Sequence, residues 1–115
     1  MVAPEPVRAS STSRAYAREW SRFARWCSAR GLIARPARGD IVALYVVELA
    51  ERGRAVSTIA RVLNAIGDAH ARAGLPSPRS SSPVREALSL HRRSMLVQCA
   101  ALVRAVGVRP RLAFA

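Results

Sequence analysis

The stretch "TSRAYAREWSRFARWC", residues 12–27, decides the fold because its two kinds of side chain separate onto opposite faces of a helix. At about 100° per residue, its large apolar and sulfur-bearing side chains share one face. That face carries Tyr16, Trp20, Phe23 and Cys27, and the opposite face carries Arg14, Arg18, Arg22 and Arg25. The apolar face predicts a contact with a protein core, whereas the arginine face fits either solvent or a negatively charged partner.

Capping and stop residues predict four helices. The first is capped by Ser11, Thr12 or Ser13 and runs to about Arg30, and the second is capped by Asp40 and runs from Ile41 to about Arg52. The third begins at Ser57 or Thr58 and ends at Gly74, and the last is capped by Ser82, has Pro83 in its first position and runs as far as Gly107. Because no two segments can pair as strands, the sequence predicts an all-α fold, a bundle of four to five helices.

The third helix is also two-sided. Its apolar face carries Ile59, Val62, Leu63, Ile66, His70 and Ala73, and its polar face carries Ser57, Arg61, Asn64, Asp68 and Arg72. A histidine on an apolar face with no second histidine or acid at a working distance is typical of a hydrogen-bonded core residue. We therefore expect His70 to belong to the core rather than to a metal or catalytic site.

Net charge is the most informative feature of the composition. Nineteen arginines, no lysine and seven acidic residues give +12 over 115 residues, which is the length of one domain. Charge of one sign on this scale disfavours an ordinary cytosolic enzyme and indicates a polyanionic partner. The use of arginine alone is consistent with a GC-rich coding sequence, so only the charge enters the argument.

Cysteine usage and hydropathy limit the compartment. Cys27 and Cys99 are the only cysteines and form no CxxC pair, so we expect a reducing compartment and two buried thiols. The longest apolar run, "IVALYVVELA" at residues 41–50, is about half the length that a bilayer requires. The sequence therefore predicts no membrane partner.

Motifs for catalysis and cofactor binding do not occur. The sequence contains no GxxxxGK[ST], GxGxxG, HExxH or GxSxG pattern, and His70 and His91 belong to separate elements. We expect no cofactor, no metal ion and no enzymatic activity of this chain by itself.

Nucleic-acid binding fits one segment in particular, "GRAVSTIAR" at residues 53–61. It places Ser57 and Thr58 at a helix start, with Arg61 one turn later and Arg52 and Arg54 just upstream. Helix starts and arginines both bind phosphate, and a helix of this kind can enter a major groove. The alternative is a capped helix with an incidental arginine.

The order of these pieces resembles the N-terminal core-binding, SAM-like domain of the tyrosine recombinases, the phage integrase family, near its Cre-like branch. The resemblance rests on "TSRAYAREWSRFARWCSARG", on "PARGDIVALYVVELAERGRAVSTIARVLNAIGDAHARAGLPSP" and on "PVREAL", and it covers about residues 11–93. It implies a helical bundle that forms one half of a clamp around double-stranded DNA. It also implies that the starts of the first and third helices face DNA, through Thr12, Arg14, Arg52, Ser57, Thr58 and Arg61.

The chain departs from that family pattern in its second half. The family's catalytic domain carries a lysine, a His-x-x-Arg motif and a tyrosine nucleophile, whereas this chain has no lysine, no such motif and no tyrosine after Tyr45. Residues 1–10 are expected to form a flexible arm, residues 11–93 the DNA-binding domain, and residues 94–115 an atypical apolar tail. We interpret the chain as a truncated, frameshifted or excised part of an integrase, unable to cleave DNA by itself.

Two other functions stay open. The chain could be a basic helical interaction protein, or a gene remnant, that has lost DNA binding, or it could be a basic protein associated with RNA or ribosomes. Residues 94–115 could serve self-association or contact with a separate catalytic domain. For the DNA-binding function, we expect a bacterial cytoplasmic protein associated with the nucleoid.

Overall fold

Four α-helices and one short 3-10 helix make up residues 10–106, the part of the chain that this computed structural model describes. The α-helices are α1 (Ser10–Ala29), α2 (Gly39–Glu51), α3 (Val56–Arg72) and α4 (Ser82–Val106), and the 3-10 helix Pro78–Ser80 precedes α4. No strand occurs in these residues. The all-α prediction is confirmed. The arm predicted over residues 1–10 lies outside the described part, except for Ser10, which begins α1.

The helices pack mainly as two pairs, α1 against α3 and α2 against α4. The first pair is antiparallel. Ser13 near the start of α1 borders the same hollow as Arg72 at the end of α3, whereas Trp26 near the end of α1 lies beside Thr58 at the start of α3. This orientation brings the end of α1 and the start of α3 to the same end of the bundle.

Aromatic rings from α1 and α2 form the centre of the core. Phe23 is fully buried, and its ring centroid lies 5.1 Å from that of Tyr45 and 6.1 Å from that of Trp26. Trp20 also belongs to the cluster, with its ring centroid 5.9 Å from that of Phe23, but it is only half-buried. Pairs at these separations add to the free energy gained by burial alone. The apolar face predicted from residues 12–27 is therefore the face that holds α1 to the rest of the fold.

His70 is the core residue that its position predicted. Its Nε2 accepts a hydrogen bond from the Ala37 amide at 2.9 Å, and its Nδ1 lies 2.7 Å from the Ile66 carbonyl oxygen. Because the amide can only donate and the carbonyl can only accept, the ring is neutral and carries its proton on Nδ1. His70 thus ties the loop between α1 and α2 to α3, and the Trp20 ring stands edge-on to it at 6.0 Å.

The predicted cap of α2 is wrong by two residues. Arg38, not Asp40, occupies the N-cap position, and Asp40 lies in the first turn with its carboxylate 2.8 Å from the Arg38 guanidinium. At this boundary Gly39 lies against Ser81, and a Cβ on Gly39 would lie 2.5 Å from the Ser81 Oγ. The close approach of α2 to the start of α4 therefore favours glycine in the first position of the helix.

The other predicted caps are displaced by one or more residues. α1 begins at Ser10, ahead of its three predicted caps, and α3 begins at Val56 after the N-cap Ala55, which places Ser57 and Thr58 inside the first turn. Ser82 is the first residue of α4 rather than its cap. Ala73 follows the last residue of α3 and is exposed, so its predicted place on the core face is wrong. Backbone conformation just before each helix outweighs the side-chain preference for capping.

The prediction of two buried thiols is half wrong, because Cys27 is buried and Cys99 is exposed. Cys99 belongs to the C-terminal half of α4, which extends beyond α2 and exposes Leu96, Val97 and Leu102 to 58%, 66% and 65%. The sequence spacing placed Cys99 on the same helix face as the buried Val84 and Leu88. That face has no neighbouring helix so far along α4 in residues 10–106, so periodicity alone could not predict burial.

Thiol labelling should separate the two cysteines. Burial raises the pKa of the Cys27 thiol, and Arg30 offsets this only in part, so Cys27 is both inaccessible and protonated. We expect an aromatic disulfide reagent to modify one thiol of the native protein rapidly and the second only after unfolding. In a Cys99→Ser variant the rapid phase should disappear. Rapid labelling of that variant would contradict the packing of α1.

Candidate nucleic-acid interface

A groove of about 600 Å³ opens where the end of α1, the turn between α2 and α3, and the start of α3 meet. We call it the arginine groove. It is lined by Glu19, Arg22, Arg25, Trp26, Tyr45, Leu49, Arg52, Arg54, Thr58 and Val62. Four of the lining residues are arginines and two others are aromatic, so the groove combines guanidinium groups with apolar surface.

The turn between α2 and α3 supplies two of the four arginines. Gly53 has a φ of +77°, a conformation that side-chain-bearing residues rarely adopt, and it ends α2. The Gly53 amide donates to the Ala50 carbonyl at 3.0 Å, and the Arg54 amide donates to the Leu49 carbonyl at 3.1 Å. This is a Schellman motif, which satisfies the last carbonyls of the helix. It also reverses the chain within three residues, so Arg52 and Arg54 both border the groove.

Acidic neighbours neutralise only part of this charge. Glu19 pairs with Arg22 at 3.0 Å, and Glu48 lies 3.8 Å from Arg52. Within residues 10–106, no hydrogen bond or ion pair engages the guanidinium groups of Arg25 and Arg54. The groove therefore keeps two cationic groups available to an anion, beside two others held by exposed pairs that contribute little to folding.

Glu48 joins the groove to the core. Its carboxylate accepts a hydrogen bond from the Trp26 indole N–H and lies 3.2 Å from the Arg30 guanidinium, which itself stacks 4.4 Å from the centre of the Trp26 ring. Trp26 is thus fixed on its face by a cation and at its nitrogen by an anion. This arrangement links the end of α1 to α2 and places Arg52 beside a carboxylate.

Tyr45, on the floor of the groove, keeps its proton. Burial raises the pKa of its phenol, and the carboxylates of Glu19 and Glu48 raise it further, while Arg22 and Arg52 oppose them. Tyr45 is also a core residue, since it is buried against Phe23. Its hydroxyl is therefore poorly suited to nucleophilic attack in this conformation.

The structure separates the six predicted DNA-binding residues. Arg52 and Thr58 line the arginine groove, and Ser57 and Arg61 occupy the first two turns of α3 beside it. Thr12 and Arg14 lie at the opposite end of the antiparallel α1–α3 pair. Arg14 and Arg25 are about 16 Å apart along α1 at 1.5 Å per residue. The six residues therefore do not form a single cluster.

Three of the four groove arginines were absent from the predicted set, namely Arg22, Arg25 and Arg54. The arginine row on α1 was visible in the sequence, but whether it faced solvent or a partner stayed open. Only the rotation of α1 about its axis, which the buried Phe23 and Cys27 determine, shows that Arg22 and Arg25 border the groove.

Other arginines serve the fold. The Arg35 guanidinium lies 5.5 Å from the centre of the Trp20 ring and 3.4 Å from the Ala69 carbonyl oxygen. Arg79 donates to the Asn64 side chain and, at 3.3 Å, to the Ala60 carbonyl oxygen. Among residues 10–106 no three His, Cys, Asp or Glu side chains are grouped as metal ligands, and no helix is long and apolar enough to span a membrane.

Replacing Glu48 should distinguish its two roles. Glu48→Gln keeps an acceptor for the Trp26 indole and removes only partly exposed ion pairs, so we expect the free energy of unfolding to fall by about 1 kcal/mol or less. Glu48→Ala leaves that indole N–H without its partner and should cost about 1 to 3 kcal/mol. Urea denaturation followed by tryptophan fluorescence measures both. The exposed Glu51→Ala serves as the control, and equal losses for both Glu48 variants would show that the ion pairs dominate.

Most of the chain is similar in sequence to part of a known protein. No family model matches the chain. The chain is similar to an integrase/recombinase xerD homolog of Selenomonas ruminantium, with 35% identity over 92 residues, or 77% of this chain. It spans 27% of the length of that relative. Most of this chain is thus similar in sequence to about a quarter of an integrase/recombinase.

Proposed function

We propose that this chain is a core-binding domain of a tyrosine recombinase and that it binds double-stranded DNA as one half of a clamp. The observation that carries the proposal is the arginine groove, in which Arg25 and Arg54 are unpaired within the described residues, at the end of the bundle where α3 begins. Guanidinium groups and helix starts are the groups that most often contact DNA phosphates. The recombinase relative makes DNA the polyanion to test first.

Duplex DNA fits this surface better than single-stranded RNA does. Proteins that bind single strands stack bases on exposed aromatic rings. Here Phe23, Trp26 and Tyr45 are buried in the core, and Tyr16 and Trp20 are half-buried. The described residues thus offer exposed cations but no fully exposed aromatic ring, which favours contacts with a phosphate backbone.

The row on α1 gives the interface its length. Arg14, Arg18, Arg22 and Arg25 are all exposed and lie on one face of α1. Their span of about 16 Å is roughly half of the helical repeat of B-DNA, so the row can follow the backbone across a groove. In this arrangement Thr12 and Arg14 contact phosphates at one end, and Arg52, Ser57 and Thr58 contact them at the other. Arg61, one turn into α3, is the residue placed to reach a base edge.

Strand cleavage is not part of the proposed activity of this chain. Its described tyrosines are Tyr16, which is half-buried, and Tyr45, whose phenol has a raised pKa. We propose that exchange of strands requires a separate catalytic domain and that the chain acts on bacterial nucleoid DNA.

Salt dependence tests the interface directly. Engagement of five or six phosphates should give a slope of about −4 to −6 in a plot of log K against log salt concentration. The double variant Arg25→Ala/Arg54→Ala should reduce the magnitude of that slope by about two and weaken binding roughly tenfold or more. Fluorescence anisotropy with a labelled duplex supplies both values.

The control for this pair has the same change in charge. Arg38→Ala/Arg85→Ala also removes two exposed cations, but Arg38 precedes α2 and Arg85 is near the start of α4, away from the groove. We expect its salt slope to stay near that of the unaltered chain. Equal slopes for the two double variants would mean that net charge, rather than the groove, determines binding.

A second candidate function is supported by the end of α4. Leu96, Val97 and Leu102 are exposed there, and a hollow of about 490 Å³ between α2 and α4 is lined in part by Leu90 and Met95. Contiguous apolar side chains at a surface are typical of contacts with another polypeptide. On this basis the chain is a basic helical interaction protein whose tail binds either a second copy or a separate catalytic domain.

Truncation tests that candidate. A chain ending at Met95 keeps Met95 against α2 and removes Leu96, Val97 and Leu102, so its melting temperature should change by no more than about 2 °C. We expect its sedimentation to be independent of concentration, whereas the complete chain should associate. The triple variant Leu96→Ser/Val97→Ser/Leu102→Ser controls for length. A complete chain that is monomeric at all concentrations would exclude self-association and leave the catalytic domain as the partner to test.

A further inference from the structure

The turn that supplies Arg52 and Arg54 is held from two directions. From one side, the Arg54 amide donates to the Leu49 carbonyl of α2 at 3.1 Å. From the other side, the Arg54 carbonyl oxygen lies 2.9 Å from Nε2 of His91, which belongs to α4, 37 positions along the chain. Because a carbonyl oxygen can only accept, Nε2 of His91 donates this hydrogen bond. Both backbone polar groups of Arg54 are therefore satisfied by different helices.

His91 is well placed to restrain this backbone. It is 7% exposed, on the part of α4 that packs against α2, and it borders the α2–α4 hollow together with Gly53. The same turn thus forms the wall between two cavities, with His91 behind it and the arginine groove in front. A residue with its N–H and C=O both bonded has little freedom to rotate, and its side chain direction follows from that of its backbone.

We infer that His91 is a positioning residue for the arginine groove, in that its hydrogen bond to the Arg54 carbonyl sets the direction in which Arg54 meets an anion. The inference rests on the proposed DNA-binding function and adds a residue that does not touch DNA. Arg52 and Arg54 flank Gly53, the most freely rotating residue of the turn, so this segment gains most from an external restraint. Without that restraint, Arg54 would lose conformational entropy on binding DNA, whereas in the native turn its backbone is already ordered.

The structure offers a matched control in His70. Both histidines are buried and both hydrogen-bond backbone groups, but His70 contacts Ala37 and Ile66, away from the turn. His70→Leu removes two hydrogen bonds to backbone groups and His91→Leu removes one, so the control is at least as disruptive to the bundle as the tested change. A loss of DNA binding that follows only from His91→Leu cannot be a general effect of lowered stability.

The test measures binding of the complete chain to a labelled duplex at two salt concentrations, below the melting temperature of each variant. We expect His91→Leu to raise the dissociation constant about tenfold, as for the loss of one charge-assisted hydrogen bond, and to reduce the salt slope by about one. His91→Gln, whose amide can still donate to the Arg54 carbonyl, should restore binding to within about threefold of the original. His70→Leu should leave binding within about twofold.

A double-mutant cycle identifies the route of the effect. If His91 acts through Arg54, His91→Leu should weaken binding no further in an Arg54→Ala background. A full additional loss there, or an equal loss for His70→Leu, would overturn the inference, as would unchanged binding by folded His91→Leu. Should His91→Leu not fold, His91→Asn, whose amide is too short to reach the carbonyl, takes its place. An unaltered chain that binds no duplex would instead overturn the proposed function itself.

Discussion

Burial of the aromatic face of α1 is the interaction on which the rest of this structure depends. Truncating a buried phenylalanine costs about 3 to 5 kcal/mol in proteins, whereas an exposed ion pair contributes about 1 kcal/mol or less. Phe23, which is fully buried, therefore outweighs the charged contacts of α1 in fixing the rotation of that helix. Once the rotation is fixed, Arg22 and Arg25 can only border the groove beside the start of α3.

A net charge of +12 on a domain of this size creates repulsion within the folded chain. The fold gives its arginines two kinds of environment. Arg30 and Arg35 stack on tryptophan rings and Arg79 is hydrogen-bonded to α3, so these cations contribute to the fold. The arginines of the groove instead concentrate positive charge along one surface, and Glu19 and Glu48 neutralise only part of it. Such an arrangement is stabilised by an anion, which is the physical basis for a polyanionic partner.

The turn between α2 and α3 connects folding to the proposed function. It ends one helix, begins the next and carries two arginines, and its backbone is bonded to α2 and to α4. Contacts that are distant in sequence thus hold the residues that we propose contact DNA.

The sequence by itself determined the helices, their apolar faces and the basic character of the surface, because periodicity, glycine stops and charge are local properties. Residues 12–27 predicted the core face of α1, and His70 was correctly assigned to the core. The family resemblance implied that the starts of α1 and α3 both face DNA, and the contact of the six named residues with DNA is still a prediction. The antiparallel packing of the two helices places Arg14 far from Arg61, which the sequence did not indicate because the direction of one helix relative to another is not a local property.

Tertiary structure alone decided three features. It brought Gly39 against Ser81, and it left Cys99 exposed because no described helix covers the end of α4. It also assembled the arginine groove from three separate segments and connected it to α4 through His91. Each of these features depends on whether segments 20 or more positions apart come within a few ångströms of one another. Such distances follow from how the core packs, and the local pattern of residues cannot specify them.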